Sequence, residues 1–258
     1  MHDILLLYPE LQKFDGLPQA IQSEFSLSLP ALEIRGKSFS ELIRFMELRE
    51  DNIFYHLPTK IISKNTRWVD IDIALERRLF ILTMGENEDI AQAFLETTSL
   101  QNSYAIIHAW LIKGIDAAQL KNISNAEQFL DLSDDIQYIR WQWATRHRQA
   151  INAGIFTRLL APILACAMQD PILNQLTPFT SHDTLFLSRY IEFPFDHNGL
   201  PVCAPLHSDS TEGAQEKFEV FSNGSKIGVG SAEHAMKLMR EALPEKIGRA
   251  IHHRSEES

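Results

Sequence analysis

The stretch KFEVFSNGSKIGVG, residues 217–230, contains the strongest structural signal in the chain. Apolar and polar residues alternate through 217–221, and a second short strand pattern follows at 226–230. The Asn223-Gly224 pair between them is the preferred sequence of a type I′ turn, because both of its positions need positive φ. This stretch therefore predicts an antiparallel β-hairpin.

The residues on either side of this hairpin extend the prediction. Ser231 is a favourable N-cap for a helix that ends before Pro244, and the few apolar groups in 245–258 predict a flexible tail. Upstream, 185–193 is typical of a strand. Three prolines and a glycine in 194–205 predict an irregular edge or loop, and the polar segment 207–215 predicts a mobile loop.

A second strand signal lies near the N-terminus, at residues 68–75. Val69, Ile71 and Ile73 alternate with Asp70 and Asp72, which predicts one buried and one wet face. Residues 79–83 are expected to return as a second strand, and 32–35 to be extended. Short helices are predicted on both sides of a break at residues 15–16, while 39–49 fits a helix or a strand equally well.

The middle of the chain has helical spacing almost throughout. Helices are predicted at 89–95 and 100–112, and 116–120 is expected to be a short helix or a turn. Further helices are predicted from the capping sequence at 133–135 to about residue 153, and at 155–168. The expected fold class is α+β: an N-terminal region of mixed antiparallel sheet (1–85), a central helical region (86–176), a C-terminal region with the hairpin and a final helix (177–244), and the tail. The sequence leaves open whether all strands join one sheet.

Composition limits the function classes. The chain has 258 residues, 45% hydrophobic and 22% charged, which is typical of a globular protein with one large or two small domains. Its net charge of −10 argues against binding to nucleic acid or to an anionic membrane surface. No apolar segment approaches the length of a membrane span, and the N-terminus lacks the features of a signal peptide. These observations predict a cytoplasmic protein.

Metal and cofactor motifs are missing. The two cysteines, Cys166 and Cys203, form no CxxC pair, and a disulfide between them stays open. There is no HExxH sequence, and His182, His197 and His207 are the histidines worth checking as ligands. Gly228 and Gly230 begin a dinucleotide-like pattern that fails at position 233. Asp70 and Asp72 fit a solvated strand face better than a metal site, so no metal or cofactor is predicted.

The sequence Ser181-His182-Asp183 contains the residue types of a hydrolase triad. Side chains of consecutive residues diverge, however, and no GxSxG motif is present, so a turn is the favoured interpretation and a binding role the alternative. No catalytic residue is predicted.

The other candidate binding residues form a basic cluster on one predicted helix. Arg140, Arg146 and Arg148 are accompanied by His147 and, further along, Arg158. Guanidinium groups in such a cluster can bind a phosphate, a carboxylate or an acidic partner. The competing interpretation is a charged helix face whose arginines pair with the chain's own carboxylates.

Several motifs occur together in one part of the chain. Residues 105–111, 138–143 and 170–173 precede the pattern P-F-x-S-H-x-x-L-x-x-S-R at 178–189, and the hairpin and helix at 218–244 follow it. Together they resemble a bacterial family of unknown function whose members are commonly labelled natural-product biosynthesis proteins, over about residues 90–244. The resemblance implies no catalytic set, but it directs attention to Ser181, His182 and Arg189.

Two functions follow as hypotheses. The first is an acidic, cytoplasmic protein-binding protein that neutralises or chaperones a basic toxin or effector, as an immunity protein does; complementary charge would speed that encounter. The second is a small-molecule enzyme or ligand-binding protein of bacterial secondary metabolism, motivated by the family label and by Ser181, His182 and Arg189. The lack of a catalytic motif favours the first.

Overall fold

The computed structural model describes residues 6–25, 32–36, 38, 59–62, 66–74, 77–87, 90–152, 159–181, 183–206 and 217–252. The chain divides into two compact units, residues 1–133 and 134–258. Each unit combines helices with an antiparallel sheet, which confirms the predicted α+β class. The described strands form two separate sheets, of six and five strands.

Six antiparallel strands follow one another in chain order in the first sheet. They are β1 (Glu33–Arg35), β2 (Thr59–Ile62), β3 (Arg67–Ile73), β4 (Phe80–Glu86), β5 (Ile90–Thr97) and β6 (Gln128–Asp131). The predicted strands at 32–35, 68–75 and 79–83 appear as β1, β3 and β4. In β3 the apolar residues Val69, Ile71 and Ile73 are fully buried, as the alternation predicts.

Four helices accompany this sheet among the described residues: α1 (Pro9–Gln12), α2 (Leu17–Phe25), α3 (Leu100–Leu111) and α4 (Ala117–Ile123). Asp15 and Gly16 have φ values of 56° and 125°, so the predicted break between α1 and α2 is a left-handed turn. The Asp116 side chain begins α4 with a capping box. The ambiguous segment 39–49 lies outside the described residues.

One expectation for the first unit is wrong. Residues 89–95, predicted as a helix, form most of β5, which pairs with β4 and β6. From Ala93 onward β5 is buried at every position. Because both of its faces are covered, it lacks the polar-apolar alternation by which an exposed strand is recognised. Its partner β6 was missed because the helical spacing was extended across it.

The second unit contains α5 (Asp135–Asn152), α6 (Ala161–Gln169) and α7 (Ala232–Glu241). Asp134 caps α5, its carboxylate accepting a hydrogen bond of 2.9 Å from the backbone N–H of Gln137. Trp143 on α5 is buried and donates a 2.8 Å hydrogen bond to the carbonyl of Leu176. The predicted helix 155–168 is described only from residue 159 onward, where α6 accounts for it.

The second sheet has the strand order β11-β10-β9-β8-β7. Its strands are β7 (Thr177–Ser181), β8 (Thr184–Ser188), β9 (Val202–Pro205), β10 (Phe218–Ser222) and β11 (Ser225–Gly230). The hairpin predicted from 217–230 is present as β10 and β11. Asn223 and Gly224 have φ values of 50° and 75° at its turn, which agrees with the Asn-Gly interpretation.

The region between the predicted strand 185–193 and the hairpin needs two corrections. The strand ends at Ser188, and 202–205 is not an irregular edge but β9, the central strand of the sheet. Pro205 is tolerated because it is the last residue of β9, and Pro178 because β7 is an edge strand. The predicted mobile loop 207–215 lies outside the described residues.

Part of the segment predicted to be a tail is anchored in the second unit. The backbone N–H of Ala250 donates to the carbonyl of Gln175 at 2.9 Å. Ile251 donates to the carbonyl of Arg189 at 2.9 Å, and its own carbonyl accepts from Ile191 at 3.0 Å. Ala250 is fully buried. Residues 249–252, called the C-terminal strap below, are thus held against two other segments of the unit.

Candidate functional site

All six candidate binding residues belong to the second unit, where they fall into two groups. Ser181 and Arg189 lie at opposite ends of the β7–β8 hairpin. Arg140, Arg146 and Arg148 lie on α5. His182 lies outside the described residues, as do Arg158 and His207.

Ser181 and Asp183 lie at the tip of the β7–β8 hairpin. Ser181 pairs with Thr184 at the end of β7 and β8, and Asp183 directly precedes Thr184. Asp183 has a φ of 59°, a left-handed conformation that Asp adopts more readily than most residues. The described residues at this position fit a turn, which is the interpretation that the sequence favours.

Arg189 anchors the loop that follows β8. Its guanidinium donates to the Asp196 carboxylate at 3.2 Å and to the carbonyl of Asn198 at 2.7 Å. The hydroxyl of Ser188 accepts hydrogen bonds from the backbone N–H groups of Tyr190 and Asp196, at 2.9 and 3.0 Å. The Ser-Arg end of the 178–189 pattern therefore positions this loop, and Arg189 is a positioning residue here.

Aromatic rings cover the outer side of the same hairpin. Phe179 stacks on Phe186 and on Phe195, with centroid separations of 5.0 and 4.6 Å. His197 meets the edges of Phe179 and Phe186 at 5.8 and 5.6 Å. The loop anchored by Arg189 thus closes over the hairpin, and it also holds Phe193, whose side chain is 82% exposed. His197, one of the histidines considered as a ligand, is part of this stack.

The arginines of α5 have different surroundings. Burial lowers the pKa of Arg146, whose Nε has no partner among the described residues and whose Nη1 donates to Gln149 one turn further along. Arg148 is half-buried and has a partner of its own. Burial also lowers the pKa of His147. These residues do not form one exposed basic face.

Arg140 is the exception, because it lines an open cleft together with Arg249 of the C-terminal strap. The cleft has a volume of about 370 Å³, and both arginines are exposed. Neither makes a hydrogen bond or ion pair with any residue in the described ranges. The cleft thus brings together two cationic groups that the fold leaves available.

Other residues complete the lining of the cleft. Ile136 and Ile139 of α5 and Pro171 supply apolar surface, and Asn174 and Gln175 supply amides. The Gln175 amide donates to the carbonyl of Pro171 at 2.7 Å, and that of Asn174 to the carbonyl of Met168 at 3.3 Å. Each amide keeps its oxygen as an acceptor.

Sequence reasoning found Arg140 but missed Arg249. Arg249 lies in the segment assigned to a flexible tail. The signal that could have found it is the apolar pair Ala250-Ile251 directly after it, since a solvated tail has no reason to bury Ala250.

The first unit has a groove of similar size, about 390 Å³, beside Arg78 and Tyr104. There the guanidinium group is already neutralised, because Arg78 forms a two-pronged ion pair with Glu10. Burial, followed by the charge of nearby Glu24, raises the pKa of Tyr104 to about 12. Lys13 also lines this groove, exposed and with its Nζ 4.7 Å from the centroid of the Phe14 ring, so the groove has one ammonium group where the Arg140–Arg249 cleft has two guanidinium groups.

Within the described ranges, no group of three or more His, Cys, Asp or Glu side chains is placed to hold a metal ion. Cys166 and Cys203 are both free. Burial raises the pKa of Cys203 to about 12, so this thiol is not a ready nucleophile. No helix in the described part of the chain is both long and apolar enough to cross a bilayer.

Comparison with known families adds one finding. A family of unknown function, DUF6193, matches residues 137–254. The similarity confirms the expected resemblance to a family of unknown function, over a range that lies within the second compact unit. It includes Arg140, Arg189 and Arg249 and stops short of the first unit. No curated protein and no solved structure matches the chain.

Proposed function

We propose that the chain is a protein-binding protein whose second unit recognises acidic side chains of its partner at the Arg140–Arg249 cleft. The observation that supports this function is the presence of two exposed guanidinium groups, without described partners, in the lining of one cleft. Buried or paired arginines maintain a fold, whereas unpaired ones that share a concave surface are available to a ligand.

The chemistry of the cleft favours carboxylates. A guanidinium group binds a carboxylate through two parallel hydrogen bonds, and such charge-assisted bonds are about twice as strong as neutral ones. Arg140 is supplied by a helix and Arg249 by the C-terminal strap, so the cleft offers two separate anchoring points. This arrangement suits a ligand with more than one carboxylate.

The remaining lining favours a peptide over a free anion. Ile136 is 39% exposed and offers apolar contact, while the amide oxygens of Asn174 and Gln175 can accept from backbone N–H groups. A volume of about 370 Å³ is at the small end of the range of ligand pockets, roughly 300–1,000 Å³. The cleft therefore fits a few side chains of a segment with two acidic residues.

The test is direct binding of a fluorescein-labelled Ala-Glu-Ala-Glu-Ala peptide with an amidated C-terminus, followed by anisotropy. We expect binding that weakens at least about tenfold in the double variant Arg140→Gln/Arg249→Gln, since each lost charge-assisted bond is worth about 1.5–3 kcal/mol. The double variant Lys217→Gln/Lys237→Gln removes the same charge outside the cleft and should bind nearly as the native chain does. Equal loss in both variants would contradict a specific site.

A second candidate function rests on the charge distribution. The first unit contains 12 basic and 19 acidic residues, a net charge of −7, against 12 and 15, or −3, for the second unit. This excess fits a basic partner, as expected of a cytoplasmic immunity-type or chaperone protein. The test is copurification of a basic protein with the full chain. This second function is favoured if the basic protein binds the native chain and is lost when exposed carboxylates of the first unit are replaced by glutamine.

The small-molecule alternative, a ligand-binding protein or enzyme of natural-product biosynthesis, is tested by the same assay. Glutarate contains two carboxylates but no peptide backbone. If glutarate displaced the peptide at equal molar concentration, the cleft would be a small-molecule site and the protein-binding proposal would fail.

A further inference from the structure

The C-terminal strap is fastened by one histidine that lies between two carboxylates. His252 Nε2 is 3.1 Å from Asp135 Oδ1, and His252 Nδ1 is 3.3 Å from Glu192 Oε1. Asp135 begins α5, and Glu192 lies in the loop after β8. The imidazole therefore joins three separate segments of the second unit.

This geometry is complete only when the imidazole is charged. A neutral imidazole has one N–H donor and one lone-pair nitrogen, whereas the imidazolium has two donors. Because both ring nitrogens of His252 face a carboxylate oxygen, the neutral form places a lone pair against one of the two carboxylates. Only the protonated form donates a hydrogen bond to both carboxylates, and its single positive charge offsets part of their combined negative charge.

The other groups near His252 do not take the place of its second N–H donor. The ring of Tyr138 on α5 meets the imidazole edge-on at 6.5 Å and leaves both ring nitrogens to the carboxylates. Arg189, whose carbonyl holds Ile251, has its own guanidinium engaged with Asp196. Among the described residues, Asp135 and Glu192 are therefore the charged groups that contact the imidazole.

We propose that His252 is a proton-controlled clasp that fixes the C-terminal strap, and with it Arg249, beside Arg140. Imidazoles gain their charge as the pH falls from about 8 to 5, where carboxylates are still ionised. The clasp is thus closed at mildly acidic pH and loosened as the pH rises. The effect of the clasp on the strap does not depend on the proposed function of the cleft, whereas its effect on ligand binding rests on that function.

The first arm of the test needs no ligand. Hydrogen exchange at the backbone amides of Ala250 and Ile251 reports opening of the strap, because both amides are hydrogen-bonded across it. We expect their protection factors, corrected for intrinsic exchange, to fall about threefold to tenfold between pH 6 and pH 8. The variant His252→Gln should remove this pH dependence, and the control His234→Gln, at an exposed position on α7, should keep it.

The second arm measures the affinity of the Ala-Glu-Ala-Glu-Ala peptide at the same two pH values. We expect binding at pH 6 to exceed binding at pH 8 by about threefold in the native chain and by no more than the error in His252→Gln. Unchanged pH dependence of the protection factors in His252→Gln would overturn the clasp. A pH-sensitive strap with no peptide binding at either pH would leave the clasp standing and refute the proposed function of the cleft.

Discussion

Two sites, one in each unit, use arginine in opposite ways. In the first unit, Arg67 pairs with Glu86, donates to the carbonyls of Trp110 and Ile115 at 3.1 and 2.9 Å, and lies over the Trp110 ring. In the second unit, Arg140 and Arg249 are exposed and make no such contacts with described residues. The same side chain stabilises a fold in one place and is available for binding in the other.

The difference shows why a basic cluster in a sequence is a poor guide to a binding site. Arg78 of the first unit has the same guanidinium group as Arg140, yet Glu10 and the carbonyls of Leu7 and Thr98 occupy its donors. Arg78 and Arg140 differ in how many of their N–H donors are hydrogen-bonded within the fold. That number depends on tertiary contacts, which the local sequence does not show.

The largest expected effect on stability comes from replacing an arginine whose guanidinium is already hydrogen-bonded within the fold. Arg67→Met would leave two carbonyls and the half-buried Glu86 without their donor, and we expect a loss of about 3 kcal/mol in the free energy of unfolding. The matched substitution Arg140→Met should change it by no more than about 0.5 kcal/mol, as at ordinary surface positions. Urea denaturation of both variants measures this, and equal losses would remove the contrast between the Arg67 and Arg140 sites.

A smaller effect is expected at Glu10, and it should depend on pH. Although burial opposes it, hydrogen bonding from Arg78 holds the pKa of Glu10 below its ordinary value. A carboxylate with a lowered pKa in the folded state stabilises the protein above its unfolded-state pKa, and this contribution is lost as the pH falls through the folded value.

We therefore expect Glu10→Gln to cost about 1 kcal/mol at pH 7, a modest figure because the pair is partly exposed, and nothing at about pH 3. Thermal unfolding at the two pH values checks the difference. Glu245→Gln, at an exposed position of the second unit, is the control and should be neutral at both. A penalty of the same size at pH 3 would show that packing, and not charge, holds Glu10.

The elements predicted correctly from sequence are those with a local cause. Asn223-Gly224 fixes a turn, Ser231 caps α7, and Val69, Ile71 and Ile73 face the core because a strand alternates. Such signals act within a few residues and need no knowledge of the rest of the fold.

The elements that were missed depend on distant neighbours. β5 was mistaken for a helix because β4 and β6 make its environment buried on both faces. β9 was predicted to be irregular because its prolines suggested an edge, although pairing with β8 and β10 places it at the centre of the sheet. The candidate site shares this problem, since Arg249 joins Arg140 only after Ala250 and Ile251 dock.

The most direct test of the cleft reverses its charge. The double variant Arg140→Glu/Arg249→Glu would be compared with the native chain for binding of Ala-Glu-Ala-Glu-Ala and of Ala-Lys-Ala-Lys-Ala peptides. If the two arginines form one carboxylate-binding site, the variant loses the glutamate peptide by at least about tenfold and gains the lysine peptide, which the native chain does not bind. Unchanged binding of the glutamate peptide to the variant would contradict the account.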